Sequence, residues 1–218
     1  MTLSRRDLIV GVGAGVPAVA AVPSLAHAAV RRVGIAPEAR QAVGVIGTIE
    51  QDGLHLTGFG WLTQVRGLGA HDLFTDPTQR GAETARLRWH AEVTVSAIDV
   101  LPSLFYGTGG GRLRIFYASD GGAQPGQPDT FATGRLVASY GCLFRNIQTV
   151  IAPDHAVTEI IGELTQRTAR RFVVRGRHRQ LGRKGLLARL DASGSAIRTE
   201  PTIPRSTRYV AGGITVPR

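Results

Sequence analysis

Between Leu87 and Ala97 the chain alternates without a break. Leu87, Trp89, Ala91, Val93, Val95 and Ala97 take one set of positions, and Arg88, His90, Glu92, Thr94 and Ser96 take the other. In an extended strand successive side chains point to opposite faces, so this run has one apolar and one polar face. Wound into a helix, the same residues would scatter around the axis. The run is therefore a half-buried strand, and it needs neighbours to pair with and an apolar layer to face.

The rest of the chain supplies those neighbours. Val43, Val45 and Ile49 lead to Asp52-Gly53, and Leu54, Leu56 and Phe59-Gly60-Trp61 follow. An Asp-Gly pair between alternating apolar runs predicts a hairpin. Gly58 and Gly60 inside the second run predict a bulge or a close approach of backbone. Arg66–Gly81, with Gly67, Gly69, Asp76-Pro77 and Gly81, reads as a loop. Pro102 ends the long alternating run, and Gly107–Gly111 predicts a turn into a strand over Arg112–Ser119. A phosphate-binding loop would continue with Lys-Ser/Thr and a helix, and neither follows these glycines.

Asp120–Asp129 is an exposed loop, Thr130–Ala152 a long β-rich run closed by Pro153-Asp154, and Val157–Gln166, Arg171–Arg177 and Leu186–Leu190 three further strands. Thr199–Arg218 holds Pro201, Pro204, Pro217 and Gly212-Gly213 and reads as an extended tail, with at most one added strand over Arg208–Val210. About seven to nine strands and no amphipathic helix define an all-β chain. Long strands with internal glycines favour closure, so the expected fold is a single closed antiparallel barrel of about eight strands spanning residues 41–198.

The N-terminus is of a different kind. Ser4-Arg5-Arg6-Asp7-Leu8 sets two arginines ahead of an apolar run from Leu8 to Leu25, which ends in Ala26-His27-Ala28. A positive start, an apolar middle and a small-residue exit are the parts of an export signal. The Arg5-Arg6 pair implies the twin-arginine type, whose export machinery would be the first partner of the chain. Residues 1–28 are expected to be removed after Ala28, and residues 29–40 form a flexible lead-in. The glycines and prolines of the apolar run argue against retention as a membrane helix. The single cysteine, Cys142, lies far from the cleavage point, so a lipid anchor is closed off. The expected location is outside the cytoplasm.

Removal of the signal leaves about 190 of the 218 residues, enough for one domain with a sizeable core. One cysteine allows no internal disulfide, so packing alone must stabilise the domain. The formal net charge of +10 creates a field that attracts anionic polymers or surfaces. Of the 26 basic residues only Lys184 is lysine, a skew that arginine-rich codon usage explains.

The residues Phe131-Ala132-Thr133-Gly134-Arg135, Tyr140, Thr158-Glu159-Ile160-Ile161-Gly162 and Leu181-Gly182-Arg183-Lys184-Gly185 follow one another in an order similar to that of the allene oxide cyclase and dirigent type of eight-stranded barrel. Gly58-Phe59-Gly60, followed by a loop with Asp76-Pro77, resembles it as well. The resemblance covers Val43 to Leu190. It implies an apolar cavity that holds an unsaturated small molecule and steers a cyclisation or coupling by shape. The carboxylate and arginine of that family's barrel mouth have no residue-by-residue counterpart here.

Read from the residues alone, the densest ionisable set is Arg88, His90 and Glu92, to which Arg114 can be added from the next strand. Residues two apart on a strand share a face at about 7 Å spacing. Turned into a barrel, a histidine beside a carboxylate could act as acid or base near neutral pH. Turned outward, the set is a solvated face, which the apolar character of Trp89 and Val93 favours. These four are the catalytic candidates, and Trp61, Phe116 and Tyr140 are the ligand-binding candidates of an aromatic-rich interior. His55, His71, His155 and His178 lack the spacing of a metal motif, and Ser193 lacks the frame of a nucleophile elbow. No cofactor is implied. Arg167–Arg189 carries nine basic residues, Arg167, Arg170, Arg171, Arg175, Arg177, Arg179, Arg183, Lys184 and Arg189. With only Phe172 available for stacking, nucleic acid is not the expected partner.

Two functions fit. One is an exported barrel that binds a small apolar ligand, with or without cyclase- or isomerase-type activity. The other is a non-enzymatic module that binds anionic polymers of the cell envelope.

Overall fold

The computed structural model describes residues 31–34, 41–200 and 205–216. The signal segment, including Arg5, Arg6, Ala26 and Ala28, lies outside the described residues, as does most of the lead-in.

Among the described residues there are eleven strands: β1 (Arg31–Val33), β2 (Gln41–Asp52), β3 (His55–Val65), β4 (Leu87–Leu101), β5 (Leu104–Tyr117), β6 (Arg135–Ala152), β7 (His155–Ala169), β8 (Arg171–Val174), β9 (Arg177–Leu181), β10 (Leu187–Glu200) and β11 (Arg205–Thr215). Eight close a barrel in the order β10-β11-β2-β3-β4-β5-β6-β7, and every pair in it is antiparallel. Register shifts at Gly44/Val45, Val95/Ala97 and Ser139/Tyr140 bend the strands, as closure of a sheet onto itself requires.

The chain differs from the sequence reading in several places: β1 lies inside the expected lead-in, and a turn at Arg175-Gly176 splits the expected strand Arg171–Arg177 into β8 and β9. The C-terminal residues expected as a tail form β11, which pairs with β10 over most of its length and with β2 from Arg205↔Asp52 to Thr215↔Gln41. The barrel is therefore not complete at residue 198. The segment Gly107–Gly111 is not a turn but the middle of β5, and the hairpin turn lies earlier, at Pro102-Ser103. Two of these positions, Gly109 and Gly111, are glycine because neighbours crowd them. A Cβ on Gly109 would sit 2.5 Å from the Phe144 ring.

Trp89 shows how the lumen is filled. Its indole projects inward over Gly47, Gly58 and Gly60, where added Cβ atoms would lie 2.5, 2.9 and 2.8 Å from it. Its Nε1–H donates to the Ile46 carbonyl at 3.1 Å. Glycines within strands, costly for backbone entropy, are here the floor beneath a large flat side chain.

The two ends of the barrel differ. One is closed by the three-stranded sheet β1-β9-β8, with β1 and β9 parallel, and by the short helix α1 (Ala70–Leu73). Val33, Phe74, Phe172, Val174 and Leu181 are buried there and continue the apolar core. Gln166, 1% exposed, ties this cap to the barrel. Its Nε2 donates to the carbonyls of Leu181 (2.8 Å) and Thr168 (3.0 Å), and its Oε1 accepts from the Arg183 N–H (3.0 Å). The other end carries the tight turns after β2, β4 and β6 and is open.

Candidate functional site

On β4 the alternation decides which side chains reach the lumen. Trp89, Ala91 and Val93 line an inner chamber and Val95 a wider mouth, so Arg88, His90 and Glu92 face outward. Pairing carries the same assignment across the sheet: Trp61 and Phe116 lie opposite Arg88, and Phe59 and Arg114 opposite His90. The ligand-binding candidates Trp61 and Phe116 are thus on the outer face rather than in the interior. Tyr140 projects inward and is 4% exposed, but it belongs to the packed core, and burial raises its hydroxyl pKa above the ordinary value.

The outward face of β3 and β4 is buried because a strap covers it. The 3-10 helix Pro128–Ala132 and the neighbouring loop residues bring Ala82, Ala123 and Phe131 against Phe59 and Trp61, with the Phe59 and Phe131 rings 5.2 Å apart. Arg88, 1% exposed, donates to the carbonyls of Thr130 (3.0 Å) and Thr133 (3.4 Å). A guanidinium on the carbonyls that end a helical turn is a favourable dipole contact. Burial lowers the Arg88 pKa.

Arg88 clasps this strap, and the other three catalytic candidates gather beside it on the outer face. Arg114 Nη2 lies 2.9 Å from Glu92 Oε2 and 3.4 Å from His90 Nδ1. Burial and the Arg114 charge hold the His90 pKa below 6.5, against the weaker opposing pull of Glu92 and Asp129. None of the four lines the mouth or the inner chamber.

At the open end a mouth of about 330 Å³ runs into the barrel. Ile98, Val100, Phe105 and Val150 form its apolar walls, and Asp154, His155, Arg198 and Arg205 lie at its rim. Beyond it is a chamber of about 70 Å³ lined almost wholly by apolar side chains, among them Leu62, Trp89, Leu113 and Ile160. Cys142 faces this chamber, where burial pushes its thiol up to about 11. It is therefore a neutral, inert side chain at physiological pH.

A polar layer divides mouth from chamber. Leu56, Phe144, Asn146 and Arg208 line both spaces. Arg208 rises from β11, is 3% exposed, and reaches across the lumen to Gln148 on β6. With its carbonyl turned toward the guanidinium, Gln148 accepts from Nε at 2.9 Å and from Nη2 at 3.3 Å. Nη2 also donates to Gln51 Oε1, while Nη1 is buried without a partner. Asn146 sits beside it, its Oδ1 accepting from Thr158 at 2.7 Å.

No family model matches this chain, and neither does any curated protein or solved structure. The site has to be understood from its own chemistry.

The sequence reading missed Arg208, although a signal was present. In Ser206-Thr207-Arg208-Tyr209-Val210, period two puts Arg208 on the face of Val210. Read as a barrel strand, that face turns inward. Among the described residues no three His, Cys, Asp or Glu side chains gather as a metal would require.

Proposed function

We propose that the protein is an exported β-barrel that holds a small, largely apolar molecule at its open end. The observation that carries this reading is the mouth of about 330 Å³ leading to an apolar chamber, a size within the usual range of small-molecule clefts. Exposed apolar side chains around the opening, Val100, Leu101 and Ile151 among them, provide a greasy approach to it. The export part of the proposal rests on the Arg5-Arg6 pair, the apolar run and the Ala26-His27-Ala28 exit. A cyclase- or isomerase-type activity would here depend on the shape of the lumen and on its polar layer, because the His90–Arg114–Glu92 set lies outside it.

Calorimetry of the processed protein with decanol and other lipophilic compounds tests the reading. The expected result is saturable binding that Gly107→Leu abolishes. Gly107 lines the mouth, and a Cβ there meets only the Ala97 carbonyl oxygen, at 4.0 Å. The substitution therefore fills the mouth without straining the strand. Absence of saturable binding, or binding that Gly107→Leu leaves unchanged, overturns the proposal.

A second reading is favoured by the closed end. Arg170, Arg171, Arg175, Arg177, Arg183 and Lys184 are exposed around the cap, and none forms an ion pair among the described residues. Such a cluster can hold anionic envelope polymers. Retention on heparin that Arg171→Glu/Arg175→Glu removes supports it, and elution of the wild type with a neutral control excludes it.

A further inference from the structure

We infer that Arg208 is the receptor for an anionic head group, and that the natural ligand is an amphipathic monocarboxylate that enters the mouth head first. The inference rests on the small-ligand reading above and adds the chemistry of what is bound.

Arg208 is a buried charge that faces the lumen without a counter-ion among the described residues. Its neighbours Gln51, Gln148 and Asn146 are neutral, and no carboxylate lies within ion-pair distance among the described residues. The rim carboxylates already have arginines of their own. Asp154 lies 3.9 Å from Arg198 and Asp52 lies 3.1 Å from Arg205. A buried guanidinium with one terminal nitrogen unpaired is an unstable arrangement unless something else completes it. Burial pulls its pKa down to about 10, so it stays charged at neutral pH.

The surroundings select the ligand. Arginine offers a planar donor pair that matches a carboxylate, and Arg208, whose Nη1 is buried without a partner, stands with Asn146 among the residues lining the mouth. The walls Ile98, Val100, Phe105 and Val150 are apolar. The chamber below, at about 70 Å³, is too small for the body of such a molecule and too apolar for its head. The head therefore stops at Arg208 and the body fills the mouth.

The test compares decanoate with decanol, of equal chain length and without a charge, on the wild-type protein and on Arg208→Met and Arg208→Lys. Wild type should bind decanoate roughly tenfold to a hundredfold tighter than decanol, the effect of one charge-assisted pair in a desolvated site. Arg208→Met should erase that preference and leave decanol binding in place, and Arg208→Lys should restore part of it. Decanol binding serves as the folding control, because the apolar walls are untouched. If wild type binds decanol as well as decanoate, or if Arg208→Met keeps the preference, the role of Arg208 is overturned and the apolar-ligand reading stands. If neither probe binds, both fall.

Discussion

Gln166 and Arg208 are both buried polar side chains, each at one end of the barrel, and they are treated in opposite ways. At the closed end every polar atom of the Gln166 amide has a partner in the protein. At the open end Arg208 carries a full charge, leans on neutral amides and keeps one nitrogen unpaired. A completed buried network rigidifies a fold, whereas an incomplete one stores a need for a partner. The closed end is built to hold the barrel together. The open end leaves a buried charge uncompensated, and the proposed recognition of a ligand rests on that feature.

The comparison can be broken by substitution. The largest effect should come from Phe172→Ala. Phe172 is 1% exposed and stacks on Tyr117 with ring centroids 5.2 Å apart. Removing it empties the space beneath the cap and should cost about 3–5 kcal/mol in urea unfolding. Gln166→Leu should cost about 2–3 kcal/mol, because it strands the Leu181 carbonyl and the Arg183 N–H. Arg208→Met, equally buried, should leave the unfolding free energy unchanged or raise it by about 1 kcal/mol, since it replaces an uncompensated charge with a side chain of similar volume. Equal losses for Gln166→Leu and Arg208→Met would erase the distinction between the ends.

The smallest effect concerns pH. Burial and the Arg114 charge hold the His90 pKa below its ordinary value of 6.5 in the folded protein. As pH falls through 6.5 the unfolded chain takes up the proton first, so stability present above that value is lost below it. His90→Gln should flatten this part of the stability–pH curve and leave ligand binding at the mouth untouched, as expected of a residue on the outer face. A change in binding would move the His90 set back into the functional site.

How much of this was legible in the sequence depended on local pattern. Leu87–Ala97 announced itself as a strand through unbroken alternation, and Asp52-Gly53 marked the β2–β3 hairpin, where Gly53 takes φ +60°. The reading failed where composition and pattern disagreed. Five residues with four glycines at 107–111 look like a turn, yet they are in-strand positions, with Gly109 and Gly111 vacated for Phe144 and the neighbouring backbone. Prolines at 201 and 204 suggested a tail, yet the last barrel strand begins immediately after them. The burial of Arg88 and His90 could not be read locally, because the strap that covers them comes from residues some forty positions later, as the |i−j| of 42 for the Arg88–Thr130 bond shows. The partners of Arg208 stayed hidden for the same reason, since Gln51 and Gln148 are supplied by strands distant in the chain.

The pairing of β2 with β11 joins residues 41–52 to residues 205–215. Until that seam forms, β2 and β10 present raw hydrogen-bonding edges, the kind that recruit other chains into aggregates. Contacts of such long sequence separation are slow to make, and during synthesis this one has to await residues 205–215. A nascent chain that stops short of β11 is therefore an open sheet, and premature termination should yield inclusion bodies rather than a slightly shorter barrel.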